Sequence, residues 1–106
     1  MSFKWPTKSP TETLDYNIDW SRLIESGVSI STATYTIEYD NQPTLAFGGS
    51  TTVYGLTNSA TSIVDKITTI YLAAGVLNRN YKLVCQITDS LGRVTERSVT
   101  ITIRER

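Results

Sequence analysis

Asp15, Asn17 and Asp19 are spaced like the opening ligands of an EF-hand calcium loop, whose side-chain oxygens curl around one ion. The rest of that loop is missing. Its sixth position must turn sharply as Gly and is Trp20; its twelfth must be a bidentate Glu and is Ser26. On an extended strand the three side chains would instead share one solvent face. Cys85, the one cysteine, could act as a nucleophile only if a neighbour lowered its pKa, and the chain has no histidine to do so. The lack of histidine also removes the usual general base and the commonest metal ligand. No spacing among the ten carboxylates marks an acid and base pair, and Gly48 and Gly49 are not followed by a helix with a phosphate-binding lysine. No catalytic residue, cofactor site or metal site is expected.

The elements that would carry these residues are strands. Of 106 residues, 34 are Val, Ile or Thr, whose branched side chains fit a pleated surface better than a helix. Leu14, Tyr16, Ile18 and Trp20 alternate with Asp15, Asn17 and Asp19, the period of a half-buried strand. Residues 21–26 suit one helical turn capped by Ser21 and ended by Gly27. From Val28 to position 40 the apolar phase slips, with Val28 and Ile30 even but Ala33, Tyr35, Ile37 and Tyr39 odd, so a bulge or break is expected within residues 31–34. Residues 41–43 read as a turn, 44–47 and 50–54 as short strands, and 63–72 as a strand.

The C-terminal third is the clearest. Tyr81, Leu83, Cys85 and Ile87 point one way, as do Val99, Ile101 and Ile103, and Asp89 to Gly92 between them has the chemistry of a hairpin turn. The expectation is an all-β fold: an immunoglobulin-like antiparallel β-sandwich over residues 14–106, preceded by an extended N-terminal arm over residues 1–13. One cysteine excludes an intrachain disulfide, so packing alone must hold it.

Formal charge is zero, with ten basic and ten acidic residues, which argues against nucleic acid as a partner. No apolar stretch nears the roughly 18 to 20 residues that span a bilayer, and no secretory apolar core follows Met1, so a soluble, unprocessed protein without membrane contact is expected. The arm carries Phe3 and Trp5 among Pro6 and Pro10, large apolar groups on a segment with no alternation of its own. Either Trp5 covers an open end of its own sandwich or the arm docks on a neighbouring subunit. Phe3, Trp5, Pro6 and Pro10 are taken forward as a protein interface, with removal of the arm expected to leave the domain's stability nearly unchanged. Should the arm belong to its own core, the loop tips at residues 41–43, 48–50 and 78–80 are the next candidates.

The stretch from Lys4-Trp5-Pro6 through Leu14-Asp15-Tyr16 to Asp19-Trp20-Ser21, with the hairpin Thr88-Asp89-Ser90-Leu91-Gly92-Arg93 and the tail Ile103-Arg104-Glu105-Arg106, resembles small tailed-phage virion proteins described as fiber-tail adaptors. The resemblance covers both ends, about half of the chain; residues 39–78 carry no matching motif. It implies a non-enzymatic virion component, made in the bacterial host cytoplasm. The partners implied are other virion proteins of the tail, fiber or neck, in multiple copies. The alternative from the residues alone is a free-standing module that binds a carbohydrate or protein through Tyr35, Tyr39, Tyr54 or Tyr71.

Overall fold

The computed structural model describes the backbone of residues 2–39 and 41–105 and the side chains of residues 5–39 and 41–105. Nine strands occur among them: β1 (Ser2–Lys4), β2 (Leu14–Asp19), β3 (Ile30–Tyr39), β4 (Leu45–Ala46), β5 (Thr51–Val53), β6 (Leu56–Val64), β7 (Ile67–Ala74), β8 (Arg79–Asp89) and β9 (Val94–Ile103). They form two sheets, ordered β1-β9-β8-β3-β4 and β2-β7-β6-β5. Every pair is antiparallel except β1 with β9, which is parallel. The protein is an all-β sandwich.

Alternation sends one side chain in two into the space between the sheets. The larger sheet contributes Tyr35, Ile37, Tyr81, Leu83, Cys85, Ile87, Val99, Ile101 and Ile103; the smaller contributes Tyr16, Ile18, Leu56, Ile70 and Leu72, all buried. Two bulges shift the phase of this alternation, and after the second, in β6, the side chains are exposed. In β3 the register shifts between Ile30 and Thr32, inside the window where the sequence places it. In β6 it shifts between Asn58 and Ala60, so that inward positions change from even (Leu56, Asn58) to odd, with Thr61 opposite Ile70 and Ile63 opposite Thr68.

Two local expectations are corrected. Residues 63–72 are not one strand but the end of β6, a two-residue turn at Asp65 and Lys66, and most of β7. Asp65 takes φ of 53°, a left-handed conformation that aspartate tolerates, so a tight turn forms without glycine. Residues 21–26 begin with the single helical turn, but Ser21 does not cap it. The Leu23 and Ile24 N–H groups both donate to the Trp20 carbonyl, and Asp19 Oδ1, rather than Ser21, takes the first free N–H, that of Ser21, at 2.9 Å.

The β8–β9 connection is built on Asp89. Its Oδ1 accepts the N–H groups of Leu91 (2.9 Å) and Arg93 (3.0 Å), its Oδ2 accepts from Arg93 Nε (3.0 Å), and Gly92 turns at φ of 83°. Burial alone would raise the Asp89 pKa, but these hydrogen bonds and the Arg93 charge outweigh it and hold the carboxyl below its ordinary value of 3.8.

Because the folded-state pKa of Asp89 is depressed, its contribution is fully present above the unfolded value and is lost as pH falls through the folded one. Chemical unfolding measured from about pH 6 to about pH 2 should show stability dropping over that acid range. Asp89→Asn should be less stable at neutral pH and should lose less on acidification; an unchanged acid slope would remove Asp89 from the cause. In the core, Ile101→Ala should cost about 2 to 5 kcal/mol, against at most about 0.5 for Thr100→Ser on the opposite face of β9. Denaturant midpoints of the two variants check the phase of that strand.

Candidate protein interface

The arm is the first place to look for a partner surface, and it is integrated into the domain. Parallel pairing places Ser2, Phe3 and Lys4 beside Ser98, Val99 and Thr100 of β9, so the expectation that the arm completes no sheet of its own chain is corrected. Pairing continues past β1. Trp5 N–H donates to Thr100 O (2.9 Å), Lys8 N–H to Thr102 O (3.1 Å), and Arg104 N–H to Lys8 O (2.8 Å). A three-residue strand shows no alternation to read, because backbone hydrogen bonds and not side-chain periodicity place it there.

Trp5 is 8% exposed and stacks on Tyr16 with ring centroids 4.9 Å apart and planes at 25°, so of the two alternatives for Trp5 the structure has it packed on its own sandwich. The Tyr16 hydroxyl donates to Pro6 O at 3.2 Å. Lys8 is fully buried. Its Nζ donates to Ala74 O (2.5 Å) and Ser9 O (2.7 Å), tying the arm to the end of β7. Burial lowers its pKa, and the nearby Glu12 charge acts in the opposite direction. Pro10 follows Ser9, whose N–H donates to Glu12 Oε1 (2.9 Å) while Ser9 O accepts from Glu12 N–H (3.2 Å), closing a turn. Of the four nominated residues, Pro6 is exposed, Pro10 is half-buried and Trp5 is buried; the Phe3 side chain lies outside the described residues.

The other sequence candidates sort by burial. Cys85 is buried, with Sγ 3.8 Å from Thr68 Oγ1, which also accepts from Trp20 Nε1 at 2.9 Å. Burial pushes the Cys85 thiol pKa up, more than hydrogen bonds from Thr68 and Tyr35 pull it down, so the reactive thiolate is disfavoured. Asp15, Asn17 and Asp19 do share the outward face of β2. Tyr35 is buried, and Tyr39 stacks on Tyr54 at 5.6 Å and tilts against Tyr81 at 4.9 Å. Tyr71 alone of the four tyrosines is largely exposed, so they make no common stacking platform.

Exposed apolar side chains lie elsewhere, and sequence reasoning passed over them because their positions suit strand or turn. One end of the sandwich brings together the β2–β3 segment, the β6–β7 turn and the β8–β9 turn: Lys66 Nζ donates to Ile24 O and Glu25 O, and Glu25 pairs with Arg93 at 2.6 Å. This turn end carries exposed Leu23, Ile63, Val64, Ile67, Leu91 and Val94. At the opposite end, where Lys8 meets Ala74 and Asn78 N–H meets Ile103 O, Val76 and Leu77 are exposed; Leu45 is exposed on the edge strand β4, opposite Ile37 and level with the middle of β8. Gly75 lies at this end with φ of 108°, and a Cβ there would come within 2.8 Å of Ile103.

Because the arm is packed, its removal should destabilise the domain, the reverse of what the sequence suggests. Trp5→Ala should cost about 3 kcal/mol or more, and Lys8→Met about 1 to 3 by leaving the Ala74 carbonyl short of a donor. Thermal unfolding of both variants checks this, and midpoints equal to the parent's would detach the arm from the fold.

No curated protein matches the chain. A protein-family model described as "Podophage GP4 fiber-tail adaptor protein gp77" matches residues 8–102, from the buried Lys8 to the next-to-last residue of β9. That match takes in every strand but β1 and most of the chain, including the central region where the sequence shows no recognisable motif. The chain therefore belongs to the podophage fiber-tail adaptor family.

Proposed function

We propose that this chain is a non-enzymatic adaptor that joins a tail protein to a fiber protein through the two ends of its sandwich, in several copies per particle. Family membership carries the structural role in tail and fiber and its place in the virion. The two-ended reading rests on one observation. Among the described residues, eight of the ten large apolar side chains that remain exposed fall at the two ends, six at the turn end and two at the end near the termini.

The physics favours such an arrangement. Strands of ten or eleven residues extend about 33 to 37 Å, so the 41 Å axis runs along them and each end measures roughly 27 × 25 Å. That is the scale of the ~800 Å² which one partner contributes to a standard interface. A hydrogen-bonded sandwich held at both ends keeps a fixed distance between two bound proteins, and its loops can be shaped for contact without disturbing the core. The strand order supports an immunoglobulin-like reading, since β3-β8-β9 facing β2-β7-β6 repeats the partition of strands C-F-G and B-E-D in that fold. Pro6 and Pro10, on the surface of the docked arm, belong in this reading to the rim of the terminal end.

Binding of the chain to purified tail and fiber proteins tests the proposal. Leu91→Asp with Val94→Asp should weaken one of the two interactions by at least about tenfold, and Val76→Asp with Leu77→Asp the other, with folding checked by thermal unfolding. Loss of both interactions from either pair of changes, or of neither from both pairs, would overturn the two-ended arrangement.

A further inference from the structure

The outward face of the smaller sheet carries a pattern that its fold does not require. Register sets the face out as a grid. Asp15 lies beside Tyr71 and then Ala60, Asn17 beside Thr69 and Ser62, and Asp19 beside Ile67 and Val64, in the order β2, β7, β6. All are exposed except the half-buried Thr69. Tyr71 is 40% exposed, Ile67 39% and Val64 63%. The solvated side of an antiparallel sheet is ordinarily polar, so three large apolar groups on it call for a covering surface.

Charge on this face is one-sided. The outward positions of β2, β6 and β7 hold Asp15 and Asp19 and no lysine or arginine, and neither aspartate forms an ion pair among the described residues. Arg22 acts on Asp19 only as a more distant charge. On the outer face of the larger sheet, by contrast, Glu38 lies directly opposite Lys82. The grid is also rigid, since β7 is hydrogen-bonded on both sides, which lowers the entropy lost on docking.

We propose that this face docks a protein surface that is both basic and apolar, presenting lysine or arginine side chains to Asp15 and Asp19 and an apolar patch to Tyr71, Ile67 and Val64. Four residues of strand separate the two carboxylates, so the matching cations sit about 13 Å apart. Negative charge on the grid repels phosphate backbones and anionic lipid, leaving a protein as the occupant. The proposal rests on the adaptor reading, with the occupant being the tail or the fiber protein.

The test measures binding of the full chain to purified tail protein and to purified fiber protein at low and high salt. One of the two should bind the parent with an affinity that falls as salt rises. Asp15→Asn with Asp19→Asn keeps the acceptor for Ser21 N–H, and should weaken that interaction at least about tenfold at low salt while flattening its salt dependence. Val64→Ser should weaken it with the salt dependence intact. Unchanged affinity for both proteins in these variants overturns the docking face and leaves the adaptor reading standing. A parent that binds neither protein overturns both. A salt-sensitive dimer of the parent that the Asn variant abolishes would show that a second copy occupies the face, and overturns the partner named here.

Discussion

Strand β8 is paired along most of its length on both sides, with β3 and with β9, and the remaining packing is arranged around it. Its inward side chains Tyr81, Leu83, Cys85, Ile87 and Asp89 are buried in unbroken alternation. A domain of this size without a disulfide must draw its stability from such burial, at roughly 1.5 to 3 kcal/mol for each large apolar side chain. The strand's two ends also fix the ends of the sandwich. Tyr81 carries a hydroxyl that donates to Tyr54 O at 2.7 Å and accepts from Val76 N–H at 3.0 Å, while Asp89 organises the turn at the other end.

From this centre the sheets are extended by elements too weak to stand alone. β1 has three residues and β4 two, and each persists because a neighbouring strand offers unpaired backbone groups. The arm is the clearest case. Parallel pairing to β9, the Trp5–Tyr16 stack and the Lys8 ammonium on the Ala74 carbonyl act together along one edge. A fully buried lysine is costly unless its donors are met, and here two backbone carbonyls meet them. This same seam covers one edge of β9 and so protects it from unwanted pairing.

For an adaptor, the consequence is a stiff body, and the contacts proposed for it lie on its ends and on one face. Among the described residues, the titratable groups with shifted pKa fall in separate places: Asp89 and Arg93 serve a turn, Asp19 the end of β2, Lys8 the arm, and Cys85 and Tyr35 the core. Catalytic sites gather such groups within reach of one reacting atom.

The sequence by itself determined the class, the long C-terminal hairpin and its turn, the inward phase of β2, β8 and β9, and the bulge in β3, because each depends on local alternation or on turn chemistry. The motif from Lys4 to Ser21 also carried the family. Tertiary structure alone decided the rest. The β6–β7 hairpin was hidden because a bulge at residue 59 inverts the phase of β6 and because Asp65, not glycine, adopts the turn conformation. The fate of Trp5 was equally hidden, since whether an aromatic ring on a proline-flanked arm meets its own domain or another depends on Tyr16 and β9, partners that no spacing within the arm encodes. Exposure of Val64, Ile67 and Tyr71 beside Asp15 and Asp19 follows from cross-strand register, which joins residues more than 40 positions apart. Periodicity reports which way a side chain faces along one strand; only the assembled sheets determine what stands beside it.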